Sequence, residues 1–127
     1  MQIDRLDHLV MTVADIEKTI RFYCDVLGMT EASFGEGRKA LAYGNQKINF
    51  HQLGKEFEPK AAFSTPGSVD LCFIASTPIE KVITTLKIHQ VDIIAGPVEK
   101  NGATGKIISV YLRDPDENLI EISNYKK

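Results

Sequence analysis

The chain reads the same way twice: an order of strand, helix and three strands runs through its first half and recurs in its second. At 127 residues there is room for one domain with one core, which a unit of about 60 residues used twice splits into two half-domains sharing it. In the first copy, β-branched and apolar residues from Ile3 to Val13 predict a strand. Asp15 then caps a helix whose Ile16, Ile20, Tyr23 and Leu27 recur at three- and four-residue spacing until Gly28 stops it. Met29 to Phe34, Arg38 to Tyr43 and Lys47 to Leu53 follow as strands, divided by Gly35-Glu36-Gly37 and Gly44-Asn45.

Residues 54–68, with Gly54, Pro59, Pro66 and Gly67 among charged and small residues, break the pattern and are expected to link module one (1–53) to module two (69–127). Module two reads as a strand from Val69 to Ala75 and a helix from Thr77-Pro78 to about Ile88. Strands are then expected near Asp92 to Val98, Lys106 to Leu112 and Asn118 to Ser123, with turns at Gly102 to Gly105 and Asp114-Pro115-Asp116. The expected class is α+β, two βαβββ modules in tandem.

Laying one copy on the other pairs side chains that carry chemistry. His8 on the opening strand answers Asp70, and His51 on the closing strand answers Glu121. The offsets are 62 residues for the first strands, 63 for the helices (Ile16 to Ile79) and 70 for the last strands, a drift assigned to loops of different length. Two imidazoles and two carboxylates brought to one point suit a divalent metal, and charges set among apolar residues are costly to bury without a partner. His89, beside Gln90 at a helix end, reads as solvated surface.

Other features narrow the function by exclusion. Fifteen basic against 17 acidic residues, a net charge of −2, give no footprint for nucleic acid. No apolar run approaches the ~20 residues of a membrane span, and Met1 leads straight into a strand pattern without a signal peptide, so a cytosolic protein with no membrane partner is expected. Cys24 and Cys72 lack metal or redox spacing and read as free thiols; Cys72 alternates with Asp70 and shares its face, most simply as a small apolar filler. There is no glycine-rich phosphate loop and no Gly-x-Ser-x-Gly elbow, which removes phosphoryl transfer and serine hydrolysis.

With Asp7-His8-Leu9 on the opening strand, Phe22-Tyr23 before Val26-Leu27-Gly28-Met29, and Asp114-Pro115-Asp116 before Ile120-Glu121-Ile122, nearly the whole chain resembles the vicinal oxygen chelate superfamily. That superfamily includes glyoxalase I, extradiol dioxygenases and the fosfomycin and bleomycin resistance proteins. Gly54 to Ala62, Pro66-Gly67-Ser68 and Ser123-Asn124-Tyr125 resemble the subgroup of glyoxalase domain-containing protein 5, whose enteric bacterial members carry labels such as virulence protein or lactoylglutathione lyase. The resemblance implies half-barrel sheets with metal ligands on the first and last strands of each copy, which here are His8, His51, Asp70 and Glu121. Asp70 stands where relatives usually carry histidine, so it is either a ligand, a group reaching the metal through water, or a base.

The implied cofactor is one divalent ion, zinc, nickel, manganese, cobalt or ferrous iron. The implied activity is that of a glyoxalase I-like lyase or isomerase: the metal acts as Lewis acid on a small oxygenated substrate, and Glu121 moves a proton between adjacent carbons. Two alternatives remain: an extradiol-type dioxygenase with ferrous iron on His8, His51 and Glu121, and a ligand-sequestering protein without turnover. Arg38 and Lys39 are read either as anchors for an anionic substrate or as exposed strand charges, and a homodimer is expected.

Overall fold

The computed structural model describes all 127 residues and shows β1 (His8–Val13), α1 (Ile16–Asp25), β2 (Thr30–Phe34), β3 (Arg38–Tyr43) and β4 (Gln46–Gln52) in the first half. The second half holds β5 (Asp70–Ile74), α2 (Ile79–Ile88), β6 (Ala95–Asn101), β7 (Lys106–Arg113) and β8 (Leu119–Tyr125). Each half is a βαβββ module with its own mixed sheet, ordered β1-β4-β3-β2 and β5-β8-β7-β6, and neither sheet closes on itself. The chain divides into compact units at Gly67 and Ser68, the end of the segment read as a linker.

In the first unit β1 runs parallel to β4, while β3 is antiparallel to both β4 and β2. Alternation along the strands sends Met11, Val13, Leu41, Ile48 and Phe50 to the face covered by α1, where they are buried with Ile20 and Tyr23 of the helix. The opposite face carries His8, Thr12, Arg38, Ala40, Asn49 and His51. In the second unit Val110, Leu112, Ile120 and Ile122 meet Ile79, Val82 and Leu86 of α2, leaving Asp70, Cys72, Ser109, Tyr111, Glu121 and Ser123 on the other face.

The helix ends follow their local chemistry. Asp15 accepts from the Lys18 amide at 3.2 Å, and Glu17 places negative charge in the first turn of α1. At the far end Gly28, with φ +72°, donates to the Cys24 carbonyl while Met29 donates to that of Tyr23, a double closure that needs a left-handed residue. α2 is preceded by Pro78 at its N-cap, which offers no side-chain cap. Its first amide, on Ile79, instead donates to Asn124 Oδ1 of β8 at 2.7 Å, as that of Ile16 donates to Gln52 Oε1 of β4 at 3.2 Å.

Two elements differ from expectation. The opening strand starts at His8 rather than Ile3: residues 1–7 join no ladder, and Ile3 and Leu6 are exposed. β6 begins at Ala95, later than expected, because it is an edge strand whose extent is set by the rows β7 offers it and not by the apolar run Val91 to Ile94. Its ladder shifts between Ala95 and Val98, where Pro97 has no amide to give and Gly96 takes φ +95°. A Cβ at Gly96 would strike the carbonyl oxygen of Ser109, so only glycine lets β6 approach β7 this closely.

Candidate functional site

The register revises the correspondence between the two copies. On β1 and β4, His8 lies beside Lys47 and Val10 beside Asn49; on β5 and β8, Asp70 lies beside Leu119 and Cys72 beside Glu121. Two rows beyond His8 is therefore Asn49, and two rows beyond Asp70 is Glu121. The helix clamps give the same answer: Gln52 Nε2 donates to the carbonyls of Val13 and Ala14 and its Oε1 accepts from Ile16, while Asn124 Nδ2 donates to Ala75 and Thr77 and its Oδ1 accepts from Ile79. Gln52 matches Asn124, so the last strands are offset by 72 residues. His8 answers Asp70, as expected, but the counterpart of Glu121 is Asn49, and that of His51 is Ser123.

Glu121, half-buried on β8, is held by hydroxyls. Ser109 Oγ donates to its Oε2 at 2.6 Å and Ser123 Oγ reaches the same oxygen at 3.4 Å; the two serines are fully buried and 2.6 Å from one another. Tyr111 stands beside Glu121 in the ladder of β7 and β8, on the same face. Burial first, then the Glu121 charge, raises the Tyr111 phenol above its ordinary value and keeps it protonated as a donor. Asp70 is exposed and lies on the same face, two rows away on the neighbouring strand. The start of β5 is pinned by buried Asn118, whose Oδ1 accepts from the Val69 amide at 2.9 Å and whose Nδ2 donates to Asp114 Oδ2 at 2.8 Å. Asp114-Pro115-Asp116 is thus the brace that sets β5 against β8.

Cys72 lies next to Glu121 with its Sγ 3.3 Å from Ser123 Oγ, and it is exposed rather than a filler. Burial of the sulfur raises its thiol above the ordinary value, the Ser123 hydroxyl opposes this, and the Glu121 charge adds to it. A thiol with a raised pKa is a poor nucleophile at neutral pH.

His8 is exposed, and its Nδ1 is 2.8 Å from Asp7 Oδ2, a bond that is also the first cause of the lowered Asp7 carboxyl pKa. This engages Nδ1 and leaves Nε2 as the ring's other nitrogen for a ligand. His51 is 4% exposed, and its Nε2 is 3.4 Å from Arg38 Nη2, so a guanidinium N–H points at the ring's lone pair. It lies four rows from His8 on the same face, roughly 13 Å along the strands at 3.3 Å per residue. No three His, Cys, Asp or Glu side chains gather into a group that could hold a metal ion. No helix is long and apolar enough to cross a membrane.

The strand alternation separates the two basic residues that adjoin on β3. Lys39 pairs with Glu31 at 2.8 Å. Arg38 turns to the other face, packed against the rings of Phe34 and Phe57, with no carboxylate partner.

Fold and family agree. Residues 5–122 match the Glyoxalase/Bleomycin resistance protein/Dioxygenase superfamily, and the chain belongs to that family. Among curated relatives it is similar to virulence protein STM3117 of Salmonella typhimurium, 60% identical over 98% of this chain and 87% of the relative. It also resembles the glyoxalase domain-containing protein RDO1 of Mycosarcoma maydis, 52% identical over 99% of this chain and 71% of that one. The crystal structure of STM3117 superposes with a TM-score of 0.98 over 99% of this chain and 100% of that chain. An integron cassette protein from the mobile metagenome of V. cholerae superposes at 0.97 with 56% identity, covering 99% of this chain and 98% of that one.

Proposed function

We propose that the chain is a metal-dependent enzyme of the superfamily, a glyoxalase I-like lyase or isomerase acting on a small oxygenated substrate, in the subgroup of glyoxalase domain-containing protein 5. The metal donors in this reading are Glu121 and Asp70 on the second sheet, with Asp70 binding directly or through water; His8, on the first sheet, is the donor that the family resemblance implies. The observation that carries it is the way the two principal donors are already oriented: Nδ1 of His8 is engaged by Asp7, and Glu121 Oε2 accepts from Ser109. Ligating imidazoles and carboxylates are commonly fixed by such outer hydrogen bonds, which set the tautomer and the direction of the free lone pair. A divalent ion bound there would polarise a substrate carbonyl and stabilise the enediolate that develops.

The remaining chemistry belongs to the chain's own residues. Glu121 takes the proton from one carbon and returns it to the next, while Ser109 and Ser123 hold its second oxygen in place through the exchange. Tyr111, whose phenol is held above its ordinary value by burial and the Glu121 charge, stands beside the same carboxylate. His51, four rows from His8 and engaged by Arg38, is placed in this reading on the substrate rather than on the metal. A homodimer is part of the proposal, and the exposed Val10 and Ile74 on the first strands of the two sheets are apolar surface for it.

The test is metal content by elemental analysis of untagged protein beside His8→Ala and Glu121→Ala. The expected result is about one ion per chain, lost in both variants. Wild-type protein that takes up none of zinc, nickel, manganese, cobalt or ferrous iron sinks the enzyme reading. Oxygen uptake by the ferrous protein in place of isomerisation would redirect it to a dioxygenase.

A further inference from the structure

The first unit carries a second built constellation that the metal chemistry does not use. Arg38 on β3 stands directly across the ladder from His51, since Ala40 pairs with Asn49, and Asn49 is the next residue along β4 on that face. The guanidinium is fixed on three sides: its Cζ is 4.9 Å from the Phe34 ring centre and 4.5 Å from that of Phe57, and Nη2 reaches His51 Nε2. The Phe57 ring in turn meets the His51 ring edge-on at 5.9 Å. A planar cation locked between aromatic rings loses little freedom on binding and presents its remaining N–H groups in a fixed fork.

Two polar atoms of this group have no partner. Arg38 Nε is buried and donates to nothing, and Asn49 Oδ1 is buried and accepts from nothing, on a residue only 6% exposed. Burying a donor and an acceptor unmatched costs roughly 1–3 kcal/mol each, so a constellation that keeps both is shaped for something that supplies them. What fits is an oxyanion for the Arg38 fork and, beside it, an O–H or N–H for Asn49.

We propose that Arg38, His51 and Asn49 form a binding site for a small hydroxylated or aminated oxyanion, a carboxylate or phosphoryl group with a hydrogen-bond donor on the neighbouring atom. The two oxygens of the anion take Arg38 Nε and an Nη, and Asn49 Oδ1 accepts from the adjacent donor. His51, as acceptor from Arg38, holds the guanidinium in register. Lys47, with its Nζ 4.0 Å from the centre of the same Phe34 ring, adds positive charge at the margin. The inference deepens the reading above by naming the substrate class, but it rests on residues that hold no metal in that reading.

The test uses metal-free protein, so that loss of the metal reading leaves it standing. Amide NMR titrations with lactate, propionate and inorganic phosphate compare wild type with Arg38→Gln, Asn49→Leu and Lys39→Gln, each checked for native spectral dispersion. Saturable binding of lactate or phosphate with shifts centred on β3 and β4 is expected, weakened about tenfold or more in Arg38→Gln and unchanged in Lys39→Gln. Phosphate preferred over lactate assigns a phosphoryl group, and the reverse a carboxylate. Lactate should bind several-fold tighter than propionate, which differs only by the hydroxyl, and Asn49→Leu, or Asn49→Ala where leucine prevents folding, should erase that margin. Binding that survives Arg38→Gln, no saturable binding of either anion in the tens of millimolar, or lactate and propionate binding alike to wild type would overturn the proposal.

Discussion

Replacing Asn124 by alanine tests whether the strand that carries Glu121 is locked to its helix by one side chain. The amide donates to the carbonyls of Ala75 at 3.0 Å and Thr77 at 2.9 Å, and its oxygen accepts from the Ile79 amide at 2.7 Å. Pro78 supplies no cap of its own, so the Ile79 amide loses its only side-chain partner. At a net 0.5–1.5 kcal/mol per bond the sum is about 3 kcal/mol, and because Asn124 is half-buried, water recovers part of it, which leaves about 2–3 kcal/mol. Gln52→Ala removes the equivalent clamp in the first unit, but two of its three bonds are 3.2 and 3.4 Å long, so its cost should be nearer 1–2 kcal/mol. Urea unfolding followed by circular dichroism measures both; the midpoints should fall in that order with unchanged slopes, and the thermal midpoint of Asn124→Ala should drop by roughly 10 °C. A cost below about 0.5 kcal/mol for Asn124→Ala would refute the clamp and, with it, the alignment of the two copies through Gln52 and Asn124.

Ser109→Ala should free Glu121 while leaving Ser123 without its 2.6 Å partner: we expect metal affinity to fall 10–100-fold, measured by competition with a chelating dye, with a stability loss of only about 1–2 kcal/mol. Unchanged affinity would show that the serine does not orient the carboxylate. Gly96→Ala should destabilise by about 2–4 kcal/mol, because a left-handed backbone and a Cβ against the Ser109 carbonyl combine; a neutral result in urea unfolding would show that β6 has another way to lie on β7. Cys72, although exposed, should react with a disulfide reagent more slowly than a free cysteine at pH 8, since its raised pKa leaves less thiolate, and the rate should still be rising above the ordinary thiol pKa. A rate that levels off at neutral pH would contradict that environment.

The sequence by itself determined the duplication, the order of elements and most of their ends. Those depend on local matters: apolar period along the chain, Asp15 before a helix, Gly28 after it, glycine and proline in turns. It also makes His8 and Glu121 conspicuous as candidates, because an ionisable residue inside an apolar strand is visible without coordinates. Tertiary structure decided what stands beside what. Counting along the chain pairs His51 with Glu121; hydrogen-bonded rows pair Asn49 with Glu121, and an asparagine attracts no notice until its oxygen is seen buried and unmatched. Arg38 and Lys39 are equivalent in sequence, yet strand alternation and the ladder send one to Glu31 and the other to His51. The Ser109 hydroxyl under Glu121 lies twelve residues away along the chain and one strand away in space. The physical reason is the same throughout: the period of two fixes which face a residue takes, but the register between strands is set by which rows bond, and only the folded sheet contains that information.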